Sequence, residues 1–305
     1  MATKTQRCLS SLSRENPPRF SSPNPEKTHL LAPNKFQSYI RHQCKSGELD
    51  EAAKLFGSIA DQGIELNVYS YNIMITGYCK NWKIDEAFRI FKEMKFQGCK
   101  PSAVTYNILI GALCQSGRVR TAQKMFSEMH ACGLSPIFST YAVMLDGLCK
   151  NGHIDDAIAL FDSLESNKHK SSIELFSILI DGMCRTGRLE EARNMFDEIS
   201  NKGLVLDVVA YNIMLGGLCK KGMLLEANNL LIEMEEKGCL PNSISFNIII
   251  QGFLREKNNC KAMNLLEEMR RRNFTPNEAV TSMLIHLAME DSRFLATLES
   301  LPDPV

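Results

Sequence analysis

Apolar residues between positions 68 and 102 recur at helical intervals. Tyr71, Met74, Ile75 and Tyr78 fall at i, i+3, i+4 and i+7, which is one face of a short helix. After a turn comes a second stripe, Ile84, Ala87, Phe91 and Met94. Gly98 and Pro101 close it, because glycine accepts a left-handed cap and proline cannot continue the hydrogen-bond ladder. The segment predicts two antiparallel helices joined by a tight corner.

The same pattern returns along most of the chain. Cys44, Cys79, Cys114, Cys149, Cys184 and Cys219 are spaced 35 residues apart. Cutting at that period from Pro33 gives seven gapless blocks: 33–67, 68–102, 103–137, 138–172, 173–207, 208–242 and 243–277. Position 4 of every block is aromatic, from Phe36 to Phe246, and position 20 is alanine in all seven, from Ala52 to Ala262. Glycine stands at position 15 in five blocks (Gly47, Gly117, Gly152, Gly187, Gly222) and at position 31 in five (Gly63, Gly98, Gly133, Gly203, Gly238). A fixed period in this range marks a repeat architecture. One such hairpin cannot bury its own apolar face, so neighbours must stack. The expected fold class is all-α: a right-handed superhelical solenoid of stacked antiparallel helix pairs. The recurrent alanine lets two helices approach closely.

The ends are read by the same rule. Residues 278–305 form a partial repeat acting as a C-terminal cap, with a first helix over 278–290 (Val280, Leu284, Ile285 and Leu287 apolar) and a shortened second helix over 294–301. Residues 1–32 lack periodicity, carry many Ser and Pro, and hold five Lys or Arg against two Glu. They read as a disordered or targeting extension.

Composition narrows the function. Of 305 residues 44% are hydrophobic, and 35 basic side chains balance 35 acidic ones. That is too apolar for a disordered chain and too balanced for a histone-like binder, although a locally basic groove remains open. No apolar run reaches the roughly 18 residues of a membrane span. The eleven cysteines read as reduced thiols, those in register being small hydrophobes of the helix packing. No two cysteines are three apart, and none of the six histidines begins an HxE motif. Metal-dependent hydrolysis or deamination therefore has no support, nor is there a phosphate loop following a strand. No cofactor and no enzymatic activity is expected.

A polar stripe carries the chemistry. Positions 5, 9 and 13 of the first helix lie on one side, away from the apolar face. Position 5 reads Gln37, Asn72, Asn107, Ala142, Ser177, Asn212 and Asn247. Position 13 reads Lys45, Lys80, Gln115, Lys150, Arg185, Lys220 and Arg255. A cation near a helix end complements the dipole. The short amides earlier in the helix need another reason, since Asn is a poor helix former unless its side chain has a task. Amides and hydroxyls read base edges, and a row of cations tracks phosphates.

These residues resemble the pentatricopeptide repeat family, in its plain form built only of 35-residue motifs. Segments such as 104–110 (Val-Thr-Tyr-Asn-Ile-Leu-Ile) and 211–220 (Tyr-Asn-Ile-Met-Leu-Gly-Gly-Leu-Cys-Lys) carry the likeness for the first helix, and 154–161 (Ile-Asp-Asp-Ala-Ile-Ala-Leu-Phe) for the second. The likeness covers residues 33–277, about four fifths of the chain. It implies an organellar binder of single-stranded RNA acting in RNA processing, stabilisation or expression control, with one repeat facing one base. The resemblance gives base choice to position 5 and the last residue of the repeat: Asn67, Ser102, Ile137, Ser172, Asp207, Asn242 and Asn277. It gives base-sandwiching to position 2, aliphatic at Val104, Val209 and Ile244 but Ser139 and Glu174 elsewhere, and phosphate proximity to the position-13 cations. It assigns cytosine to Asn72 with Ser102, guanine to Ser177 with Asp207, and a pyrimidine both to Asn212 with Asn242 and to Asn247 with Asn277. Gln37 with Asn67, Asn107 with Ile137 and Ala142 with Ser172 depart from the code. The implied target is any–C–any–any–G–pyrimidine–pyrimidine.

Location follows from the resemblance: mitochondrion first, chloroplast second. Expected partners are single-stranded RNA and RNA-processing proteins, without a membrane, and the chain is expected to be a monomer. The competing class is a helical scaffold for proteins, as in the 34-residue tetratricopeptide arrays. Against it stand the constant period of 35 and a lone Trp82 with no recurring Trp-x-x-Leu-Gly.

Overall fold

The computed structural model describes residues 33–61, 66–166 and 172–290; the reading of residues 1–32 and of a second helix over 294–301 lies outside them. Fifteen helices, and no strand, occur among the described residues. The first helices of successive blocks are α1 (Pro33–Ser46), α3 (Val68–Lys80), α5 (Ala103–Gln115), α7 (Phe138–Lys150), α9 (Ile173–Thr186), α11 (Val208–Lys220), α13 (Ser243–Arg255) and α15 (Glu278–Glu290). The second helices are α2 (Leu49–Asp61), α4 (Ile84–Phe96), α6 (Val119–Ala131), α8 (Ile154–Ser166), α10 (Leu189–Asn201), α12 (Leu224–Glu236) and α14 (Asn259–Arg271). The chain is an all-α solenoid of stacked hairpins. None of the described helices is long and apolar enough to cross a membrane.

Each first helix packs on the first helix before and after it, while each second helix leans on its own partner and, from α2 to α12, on the next first helix. Small residues set the close layer. Gly147 sits so near the preceding repeat that a Cβ there would lie 2.2 Å from Cys114 Sγ. The same approach recurs for Gly77 on Cys44, Gly182 on Cys149, Gly217 on Cys184 and Gly252 on Cys219. This contact accounts for the 35-residue cysteine spacing. Burial pushes the thiols up, Cys79 and Cys149 to about 12, so they are neutral packing groups at pH 7.

A prediction follows. Gly→Ala inside a helix ordinarily stabilises by roughly 0.5–1 kcal/mol. Gly147→Ala is expected to destabilise by about 1–3 kcal/mol, because α5 and α7 must separate. Urea denaturation decides the sign; a raised midpoint would refute the close approach.

The apolar seam between repeats is aromatic. Position 24 of five second helices is phenylalanine, and each meets the position-4 ring of the next repeat edge-on: Phe56 on Tyr71, Phe91 on Tyr106, Phe126 on Tyr141, Phe161 on Phe176 and Phe196 on Tyr211, at 4.9–5.6 Å. The position-20 alanines are wholly buried beneath them.

The second helices meet one another chiefly through exposed ion pairs. Arg118 bonds Asp85 at 2.7 Å, Arg188 bonds Asp155 at 2.5 Å, and Lys95 and Arg272 reach Glu128 and Glu235 at 2.8 Å. Asp85 and Asp155 occupy the first turn of a helix, where the dipole favours them. Exposed pairs of this kind contribute roughly 0–1 kcal/mol each.

Candidate nucleic-acid interface

The polar stripe lies along the row of first helices. The last residue of each block is also the N-cap of the next first helix. Asn67, Asp207 and Asn277 accept from the backbone N–H groups of Ser70, Ala210 and Val280 at 2.9–3.0 Å. Ser102 accepts from Thr105, and Asn242 from both Ile244 and Ser245. These five side chains thus have a structural task as well as a place on the surface. Ile137 offers no side-chain acceptor, and Ser172 makes no capping bond.

Position 5 and the last residue of the same block converge. In three repeats a hydroxyl at position 3 of the next helix ties them together. Gln37 Nε2 donates to Ser70 Oγ at 3.2 Å, and Ser70 Oγ donates to Asn67 Oδ1 at 3.2 Å. Thr105 Oγ1 donates to Asn72 Oδ1 at 2.8 Å and lies 3.2 Å from Ser102 Oγ. Ser245 Oγ bonds Asn212 Oδ1 at 2.7 Å and Asn242 Oδ1 at 3.2 Å. In the seventh repeat the backbone N–H of Asn277 donates directly to Asn247 Oδ1 at 2.8 Å. These hydroxyls, buried in the interface, belong to the candidate site, and the sequence reading missed them. Ser70, Thr105, Thr140 and Ser245 at one block position were their signal.

The stripe is set deeper than a solvent-facing row. Ser177 and Asn247 are buried, and Ala142 is half-buried. The third, fourth and fifth repeats lack the three-residue link; in the fifth, Ala210 stands where the hydroxyl would be. Asn107 Nδ2 donates instead to Ser139 Oγ at 3.1 Å. Asn107 Oδ1 and Ser172 Oγ are buried without a hydrogen-bond partner among the described residues.

Between α1, α3 and α5 these positions enclose a groove of about 370 Å³, lined by Lys45, Tyr69, Asn72, Thr76, Lys80 and Val104. Val104, Val209 and Ile244 each expose more than half of their surface beside the stripe. Tyr69 occupies the same position in the second repeat; Arg41 lies 5.4 Å from its ring centroid and donates to its hydroxyl. Both had gone unremarked in the sequence.

The cations are not equivalent. All six position-13 cations are exposed. Lys150 is paired with Asp146 at 2.7 Å and Arg185 with Asp181 at 2.8 Å, each acid one turn earlier at position 9. Arg255 donates to the neutral Gln251 at 3.4 Å. Gln115 carries no charge. The positive row is therefore strong at Lys45, Lys80, Lys220 and Arg255, and nearly neutral across the third to fifth repeats.

The model of the PPR repeat family matches this chain seven times, over residues 36–80, 67–115, 101–150, 138–185, 171–219, 206–255 and 241–288. No curated protein matches the sequence. Among solved structures, the pentatricopeptide repeat protein PPR10 from maize is similar with a TM-score of 0.67 at 24% identity, over 90% of this chain and 39% of that one. PPR10 in complex with an 18-nt psaJ RNA element gives 0.57 at 20%, over 89% and 45%. Nuclear proteinaceous RNase P 2 from A. thaliana gives 0.50 at 17%, over 61% and 42%. The chain spans about two fifths of the length of the maize structure. At these identities the likenesses show the fold.

Proposed function

The chain belongs to the PPR repeat family, and from that premise we propose that it binds single-stranded RNA along the first-helix row, one repeat to one base. The observation that carries this reading is the convergence of position 5 with the last residue of the same repeat beside a groove edged by Lys45 and Lys80. The solved complex of PPR10 with RNA supports it by analogy of fold.

The hydrogen-bond geometry gives the readers a polarity. Thr105 and Ser245 hold the carbonyl ends of Asn72 and Asn212, which leaves the amide N–H groups to donate into the groove. A donor there fits an acceptor such as the pyrimidine O2. Asp207 spends one carboxylate oxygen on its cap and keeps acceptor capacity beside Ser177. An acceptor there fits guanine, whose Watson–Crick edge carries two donors. The proposed target remains any–C–any–any–G–pyrimidine–pyrimidine.

The proposed setting is an organelle, the mitochondrion before the chloroplast. RNA held extended in this way blocks an exonuclease, prevents a hairpin, or marks a site for a partner that cuts or edits. Selection from a randomised single-stranded pool at two salt concentrations tests the reading. Enrichment of C and G two intervening places apart is expected, with the C lost in Asn72→Ala and the G lost in Ser177→Ala. Failure to bind any RNA at low salt would instead favour a scaffold for proteins.

A further inference from the structure

Trp82 is the only tryptophan of the chain, and neither packing nor the base-reading positions account for it. It stands at position 15, the corner after α3. Five of the other six corners there are glycine, with φ between 72° and 86°, and Lys257 fills the sixth. Trp82 adopts φ 61° itself, a left-handed backbone that a bulky L-residue avoids. The residue is 66% exposed, so burial does not compensate the strain. Lys257 shares this backbone, so it is the large exposed ring held on it, and not the strain alone, that sets Trp82 apart.

Its surroundings say what it could hold. The indole borders a groove of about 400 Å³ between the ends of α5 and α7, with Gln115, Val143, Asp146 and Lys150 on the walls. Gln115 and Lys150 are position-13 residues, so this groove opens on the first-helix row. Trp82 also borders a cavity of about 630 Å³ where Asp50, Asp85 and Glu86 face Lys54, Lys83 and Arg89, a balanced set of charges that includes the Arg89–Glu86 pair and offers a phosphate chain no net attraction. The third and fourth repeats, which form the first groove, belong to the central stretch whose readers are unlinked and whose row carries almost no net charge.

We infer that Trp82 is a stacking platform for an unpaired base of RNA crossing the third and fourth repeats. Aromatic stacking is indifferent to base identity and to local charge. It supplies affinity where hydrogen-bond reading and electrostatic attraction both lapse. This rests on the RNA-binding reading above, but on a residue that reading does not use.

The test uses the full chain and an unstructured RNA oligonucleotide selected from the pool, with binding read by the anisotropy of a label on the RNA. Because Trp82 is the sole indole, its emission reports the platform directly. Quenching is expected to track RNA saturation. Trp82→Gly installs the residue found at most of these corners; it should keep the unfolding midpoint equal or raise it, yet weaken binding by about ten- to a hundredfold. Equal RNA affinity of Trp82→Gly and the parent overturns the platform and leaves the RNA-binding reading standing. Unchanged emission of the parent at saturating RNA does the same. A parent chain that binds no RNA overturns both.

Discussion

Phe176→Ala is expected to cost about 3–5 kcal/mol and to divide unfolding into two transitions. Phe176 is wholly buried at position 4 of the fifth repeat, with Phe161 4.9 Å away across the seam. Truncation removes a ring from a site that the stacked helices cannot readily collapse. In a solenoid each repeat touches only its neighbours, so stability is close to a sum of repeat and interface terms. A weak link at the fifth repeat therefore uncouples the four before it from the two after it. Trp82 reports only the early repeats, whereas far-ultraviolet circular dichroism reports all helices. In the parent the two urea transitions should coincide, and in Phe176→Ala they should separate. Coincidence in both would show the array to be one cooperative block.

The second large effect is electrostatic. The triple variant Lys45→Ala, Lys80→Ala, Lys220→Ala is expected to flatten the dependence of log binding constant on log salt by about 2, since each single-strand phosphate contact contributes about 0.7. Lys150→Ala with Arg185→Ala should change the slope far less, because Asp146 and Asp181 already balance those charges. The converse variant sharpens the test. Asp146→Asn with Asp181→Asn frees both cations and should tighten binding and steepen the slope. The measurement is a titration of RNA at several salt concentrations. Equal slopes for all three variants would reduce the row to a helix-end feature.

Much of this was legible in the sequence because a repeat states its geometry seven times. The 35-residue spacing of cysteine, alanine and the aromatic position fixed the block, and the apolar stripes placed both helices within it. The all-α solenoid and the family likeness followed from those positions. Other features depend on residues in different blocks meeting. Nothing within one block says that its glycine at position 10 faces the cysteine of the block before, or that Thr105 reaches Asn72 across the interface. The pairing of Lys150 with Asp146 was within reach, since an acid four residues before a cation on a helix is a known partner. The acid stands at position 9 in only two of the seven blocks, so it leaves no mark on the repeat pattern. The N-cap role of Asn67, Ser102, Asp207, Asn242 and Asn277 was likewise visible as a polar residue before each apolar run. The same residues also fall at the base-reading position, which masks the capping role.

The asymmetry between the two helix layers has a mechanical consequence. Glycine against cysteine makes the first-helix row a spine of fixed links, whereas the second helices are joined by exposed charges that salt screens. Bending such an array stretches or shortens its outer arc and hardly alters the intervals along the spine. The sites on that spine stay evenly spaced while the curvature changes, as the marks on a flexible tape keep their distances when the tape is coiled.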